Sequence, residues 1–228
     1  MMKWLTVMLE KPWQAQGVIA VHAHTCIHDQ QLKRNKTALY FLLAVIGVMF
    51  FLFVITLLQR SQSFDFQALA GEVWRPLTDT RMLWQNTLAL VLASAALMVA
   101  RFKAKAGNVE VAMTFFCFSA LCSVLFIWGQ LNIWRQLIEA GYHLTSNPAN
   151  SYFYLLTGIH GLHIAVGVIV MFRVFWHFYR PATPQSLSNF IELCATYWHF
   201  MLLVWLGLFA LLTSDSETFS TVAAWCGF

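Results

Sequence analysis

The chain has 228 residues, 59% of them hydrophobic and only 11% charged, against roughly 45–50% and 25% in soluble domains. So little charge cannot cover a water-facing surface, and 20 Phe with 10 Trp exclude a disordered chain. A net charge of +4 over this length forms no basic face, which argues against nucleic acid as a partner and leaves a polytopic membrane protein.

In the N-terminal segment MMKWLTVMLEKPWQ, Glu10 and Lys11 interrupt the apolar stretch, and no small-residue cleavage site follows. It therefore reads as part of an uncleaved cytoplasmic tail over residues 1–36 rather than a signal peptide. Further along that tail, HAHTCIH offers His22, His24, Cys26 and His28. Spacing by two would align all four on one face of an extended chain, a candidate Zn or Cu tract. Tetrahedral sites more often draw ligands from two separated elements, so a solvated tail is the expectation.

Crossing a bilayer takes roughly 20 mostly apolar residues. Five stretches qualify: Thr37 to Leu58, Leu83 to Ala100, Val111 to Trp134, Ser151 to Trp176 and Asn189 to Thr213. These continuous runs exclude a barrel of short alternating segments. The expected fold is all-α, one membrane domain of five transmembrane helices over residues 37–213, followed by a short outer tail over 214–228.

Basic residues orient the bundle. With the N-terminus inside, the inner segments hold Lys3, Lys11, Lys33, Arg34, Lys36, Arg101, Lys103, Lys105, Arg173 and Arg180. The outer ones hold Arg60, Arg75, Arg81 and Arg135. The positive-inside rule then predicts N-terminus inside and C-terminus outside. No internal repeat or pair of interrupted helices supports a secondary transporter. The cysteines, Cys26, Cys117, Cys122, Cys194 and Cys226, form no C-x-x-C pair and read as small hydrophobes.

Ionisable residues inside a span are costly unless paired, so each is a functional candidate. The fourth span places His160 and His163 at i and i+3 beside Gly158, Gly161 and Gly167, small residues that admit a neighbouring helix. In the fifth, Glu192, Thr196 and His199 form one stripe and Trp198 and Trp205 another. Both His160 and His199 fall about 15 Å from the ends of their spans, near the midplane. The expectation is a polar cluster of His160, His163, Glu192 and His199 that pins the two helices. The competing reading makes His160 and His199 axial ligands of a haem, as in a cytochrome b-like anchor. No H-E-x-x-H, G-x-S-x-G or phosphate-cradling glycine loop is present.

Those spans carry a further signal. NPANSYFYLLTGIHGLHIAVG (147–167) followed by ELCATYWHFMLLVWLGLF (192–209) resembles subunit III of the haem–copper oxidases, the cytochrome c oxidase family. The match rests on HGLH at His160 to His163, on Tyr197, Trp198, His199 and Phe200, and on Glu192 and Trp205. Weaker similarity runs through VMFF (48–51), QNTLALVLAS (85–94) and GQLNIWRQL (129–137). The resemblance implies a five-helix bacterial member without catalytic residues or a redox centre of its own. It implies haem and copper in partner subunits I and II, bound phospholipid, and a place in the bacterial inner membrane. There the complex would reduce dioxygen and translocate protons in aerobic electron transport. A quinol oxidase or nitric oxide reductase partner is the alternative. Two positions depart from the family pattern: Gly47 and Leu202 stand where many members carry carboxylates.

Overall fold

Two glycines set the turns of the hairpins around the third span. In a computed structural model, helix α2 (Arg81–Lys105) stops where Gly107 takes a left-handed φ of 81°. The amide of Asn108 bonds to Lys103 O at 3.0 Å and that of Gly107 to Ala104 O at 3.2 Å, the paired bonds of a Schellman stop. Helix α3 (Val109–Glu139) ends the same way at Gly141, φ 89°, with Tyr142 bonding to Leu137 O and Gly141 to Ile138 O. Helix α4 (Pro148–Phe178) starts with proline in its first turn, and Asn147 Oδ1 accepts from the Ala149 amide at 3.2 Å. The Tyr154 hydroxyl donates to Tyr142 O at 2.9 Å, and the Ser151 hydroxyl to Leu144 O, tying this loop to the helix it feeds.

The structure describes residues 17–66, 81–178, 184–225 and 227, with side chains from residue 30 onward except 177, 178, 184, 185 and 216. The remaining elements are α1 (Gly17–Ser61), α5 (Pro184–Leu212) and α6 (Ser216–Trp225). Every element among the described residues is an α-helix, and five are long and apolar enough to span a membrane: 30–61, 81–105, 109–139, 148–176 and 186–212. The described chain falls into two compact units that divide between Phe41 and Leu42.

In the first unit α1 is helical from Gly17. The expected tail boundary at residue 36 lies inside this helix, not at a break. The extended-chain geometry considered for His22 to His28 is also superseded, because a helical backbone does not repeat every two residues. The side chains of His22, His24, Cys26 and His28 lie outside the described residues.

In the second unit α3 packs against α2 and α4, and α5 packs against α2 and α4. Each expected span is present, and its helix is longer by several residues at one or both ends. Within the segment 214–228, expected as a short outer tail, residues 216–225 form α6. Asp215 caps it, accepting from the Thr218 amide at 2.9 Å and the Thr218 hydroxyl at 2.6 Å. Phe219 and Ala223 are buried, with Phe219 edge-on to Phe66. The exterior of this unit is apolar, with Val45, Phe51, Leu121, Trp128, Leu162 and Ile169 all more than half exposed. Its interior holds Asn86, Thr87, Ser94, Ser119, Ser123, Thr157, His160 and Glu192. That inversion suits a hydrocarbon solvent, in which every interior polar group needs an internal partner.

Candidate functional site

The polar interior is organised along α2 and α5. On α2, Thr87, Ser94 and Arg101 recur every seven residues, so they share one side of the helix. Each meets a motif residue of α5. Arg101 Nη2 donates to Glu192 Oε1 at 2.7 Å, and Lys105 Nζ reaches the same oxygen at 3.4 Å. Ser94 Oγ hydrogen-bonds to His199 Nδ1. The Trp205 indole N–H donates to Thr87 Oγ1 at 3.0 Å, and that hydroxyl donates onward to Leu83 O at 2.8 Å. The three rungs form an antiparallel ladder that rises from an ion pair, through a histidine, to an indole.

A second set of bonds ties α5 to α3. The Trp198 indole N–H donates to Ser123 Oγ at 2.8 Å, and Ser123 donates to Ser119 O. Ser119 in turn donates to Ala93 O on α2 at 2.8 Å. Between α3 and α4, the Trp134 indole donates to Thr157 Oγ1 at 3.2 Å. In each case a hydroxyl accepts from an indole while its own hydrogen is held by a backbone carbonyl.

His160 has a different setting. It is fully buried and stacked on Trp205, ring centroids 5.2 Å apart and planes 28° apart. Phe126 meets the imidazole edge-on at 5.8 Å and Phe50 at 6.2 Å, while Phe126 also meets Trp205 at 4.9 Å. Neither ring nitrogen of His160 hydrogen-bonds to another described residue. The result is one aromatic node joining α1, α3, α4 and α5. Beside it, His163 Nδ1 bonds to Ile159 O of its own helix, and its ring lies 5.8 Å from Phe50.

The expected four-residue cluster is therefore replaced by three separate settings. Glu192 pairs with the cations of α2, His199 bonds to Ser94, and His160 sits among aromatic rings. The reason is geometric: the stripe carrying Glu192 and His199 faces α2, whereas His160 reaches α5 through Trp205. The same packing disfavours a bis-histidine haem. The indole of Trp205 stacks on His160 and two phenyl rings crowd it edge-on, and a macrocycle would need that volume. Among the described residues, no three His, Cys, Asp or Glu side chains group as a metal set.

The glycines divide as well. A Cβ at Gly167 would lie 2.6 Å from the Trp198 ring and 2.9 Å from Tyr197, so only glycine admits α5 this closely. Gly158 is next, with Trp134 at 3.3 Å from such a Cβ, whereas a Cβ at Gly161 would meet nothing within 4 Å. Gly161 thus brings no described helix into the close contact expected there. The Tyr197 hydroxyl donates to His163 O at 2.9 Å, completing the α4–α5 contact. At the departures from the family pattern, Phe200 packs over Gly47, 3.5 Å from the Cβ position, and Leu202 is half-buried against the core. Both positions are filled by apolar contact.

Motif reasoning does not mark Ser94, Thr87, Ser123, Arg101 or Lys105 as partners of α5. The seven-residue spacing on α2 was the available signal for Thr87, Ser94 and Arg101. Nothing in the local pattern marks Ser123 as an indole acceptor.

A family model described as cytochrome c oxidase subunit III matches residues 1–214. A cytochrome c oxidase subunit 3 from Synechocystis sp. is 30% identical over 195 residues, 83% of this chain and 78% of the relative. A probable cytochrome c oxidase subunit 3 from Mycobacterium bovis is 30% identical over 156 residues, 65% of this chain and 75% of the relative. A third relative, from Thermostichus vulcanus, is 29% identical over 128 residues, and there the match spans 62% of the relative's length. The chain belongs to the cytochrome c oxidase subunit III family and is a subunit III of a terminal oxidase.

Proposed function

We propose that the chain works as a non-catalytic packing subunit, seated on the haem- and copper-bearing subunit I, alongside subunit II, of a cytochrome c oxidase-type complex. Its part in dioxygen reduction and proton translocation is to stabilise the catalytic subunit and sustain proton uptake there. The observation that carries this reading is the use made of the motif side chains. Trp198, Tyr197, Trp205, His199 and Glu192 are all engaged in bonds to neighbouring helices. They hold a scaffold together rather than line a reaction chamber.

The distribution of basic residues supports an N-terminus inside and a C-terminus outside, with 1–36 cytoplasmic, 37–213 in the bilayer and 214–228 outside. Bacterial relatives support a place in the bacterial inner membrane. The apolar exterior supports contact with phospholipid. His160, His163, Glu192 and His199, with Gly158, Gly167, Tyr197, Trp198, Phe200 and Trp205, are proposed as the structural residues of this scaffold.

The test is deletion of the chain from the complex. The core should keep its haem spectrum and initial oxygen consumption but lose activity faster during turnover. Loss of a haem signal together with the chain would overturn the proposal.

A further inference from the structure

Most of the exterior offers only hydrocarbon. The exposed side chains of α1 between residues 42 and 52 are Leu42, Val45, Val48, Phe51 and Leu52, apart from the small Ala44. Those of α4 include Leu155, Leu162, Val166, Ile169, Val170 and Phe172. The face of α2 differs at both of its edges.

On one edge, α2 and α3 enclose an open groove of about 350 Å³ lined by Gln85, Asn86, Trp128, Gly129, Asn132 and Gln136. Asn86 Nδ2 donates to Gln130 Oε1 at 3.1 Å, and a Cβ at Gly129 would overlap the Asn86 carboxamide. The glycine therefore lets this amide lie against the α3 backbone and line the groove. Gln130 Nε2, in a residue only 3% exposed, has no partner among the described residues.

On the other edge, His199 is half-buried beside Ser94. It lies midway along α5, about 20 Å from either end at 1.5 Å per residue. Lipid headgroups reach the groove, which opens within about 10 Å of the helix ends, but they do not reach the middle of a core about 30 Å thick. At that depth a hydrogen-bonding side chain is matched only by protein.

We propose that the exposed face of α2, between the carboxamide groove and His199, is where a transmembrane helix of the haem-bearing core subunit docks. That helix presents hydrogen-bonding groups to Gln85 and Asn132 on one edge and to His199 on the other. The faces of α1 and α4 are left to lipid. This rests on the oxidase reading above and adds the surface that the reading leaves open.

The test uses the whole complex carrying a photoreactive benzophenone side chain, introduced in turn at Leu88, Leu92, Val166 and Ile169. Positions 88 and 92 on α2 should cross-link to the core subunit, about tenfold above positions 166 and 169 on α4, which should capture lipid. In parallel, the Gln85→Leu/Asn132→Leu double variant, which removes two interhelical hydrogen bonds, should hold the core roughly tenfold more weakly. Melting of the isolated chain should stay unchanged, since neither side chain bonds to another described residue. Protein cross-links from α4 but not from α2 would overturn this surface while leaving the oxidase reading intact. Failure of the unsubstituted chain to co-purify with any haem-bearing subunit would overturn the oxidase reading itself.

Discussion

The α2–α5 and α4–α5 interfaces hold the same helix in place by different means. Against α2, the fifth helix sets a hydrogen-bonded side chain opposite every seventh residue: Glu192, His199 and Trp205 against Arg101, Ser94 and Thr87. Against α4 it uses close approach, with Gly167 admitting Trp198 and Tyr197, and His160 stacked on Trp205. Lipid tails are as apolar as leucine, so burial alone does not drive one helix onto another within the bilayer. What remains is dispersion from tight packing and hydrogen bonds between polar groups, and α5 spends one face on each. The two histidines show the contrast: His199 works through its nitrogen, His160 through its ring.

The packed interface should be the easier one to break. Leucine at Gly167 puts a whole side chain where a single Cβ would already overlap two aromatic rings. Overpacking of this kind costs about 1–3 kcal/mol and occasionally more. The Gly167→Leu complex should lose this subunit on mild detergent washing, seen as a missing band beside an intact core. Full retention would show that α4 and α5 are less closely apposed than Gly167 indicates.

Trp205 belongs to both interfaces, so its variants separate them. Trp205→Phe removes the indole N–H to Thr87 but keeps a ring beside His160, and interhelical bonds of this kind average about 0.6 kcal/mol with a maximum near 1.7. Trp205→Ala also empties the node, a loss of about 3–5 kcal/mol by analogy with aromatic truncations in cores. Melting in detergent should rank unsubstituted, Phe and Ala in that order with the larger gap last. Equal losses would place the whole contribution in the hydrogen bond.

Much of this arrangement is legible in the sequence, and the remainder has physical reasons for being hidden. Five apolar runs give the helices, because length and hydropathy alone decide what crosses a bilayer. The motif around Glu192 and His199 shows which residues share a face, but not which helix the face meets. Arg101 and Glu192 are 91 positions apart, and local periodicity holds no information on that pairing. The readable clue lies on α2 instead, where Thr87, Ser94 and Arg101 stand seven apart. The family resemblance locates His160 without telling that Phe50 and Phe126, from two other helices, enclose it. Helix α6 escaped because ten residues are too few for a span, although Asp215 three positions before Thr218 is a readable N-terminal cap.

That cap gives the smallest effect. The Thr218 hydroxyl and amide hold the Asp215 carboxyl below the ordinary carboxylate range. A depressed folded value means its contribution to α6 is present above the unfolded pKa, near 3.9, and is lost as pH falls through the folded value. Amide exchange at Phe219 to Ala223 should therefore quicken in acid. Asp215→Asn, which still caps, should remove that dependence on pH. An unchanged pH profile in the variant would assign the loosening to another group.

The central claim is that the histidines of the two motifs hold helices together and bind no haem. The most direct measurement is the reduced-minus-oxidised spectrum of complexes carrying His160→Phe and His199→Phe together, normalised to the core subunit. The account predicts unchanged haem per core, with only the retention of this subunit weakened. A spectrum short of one haem per complex would contradict it.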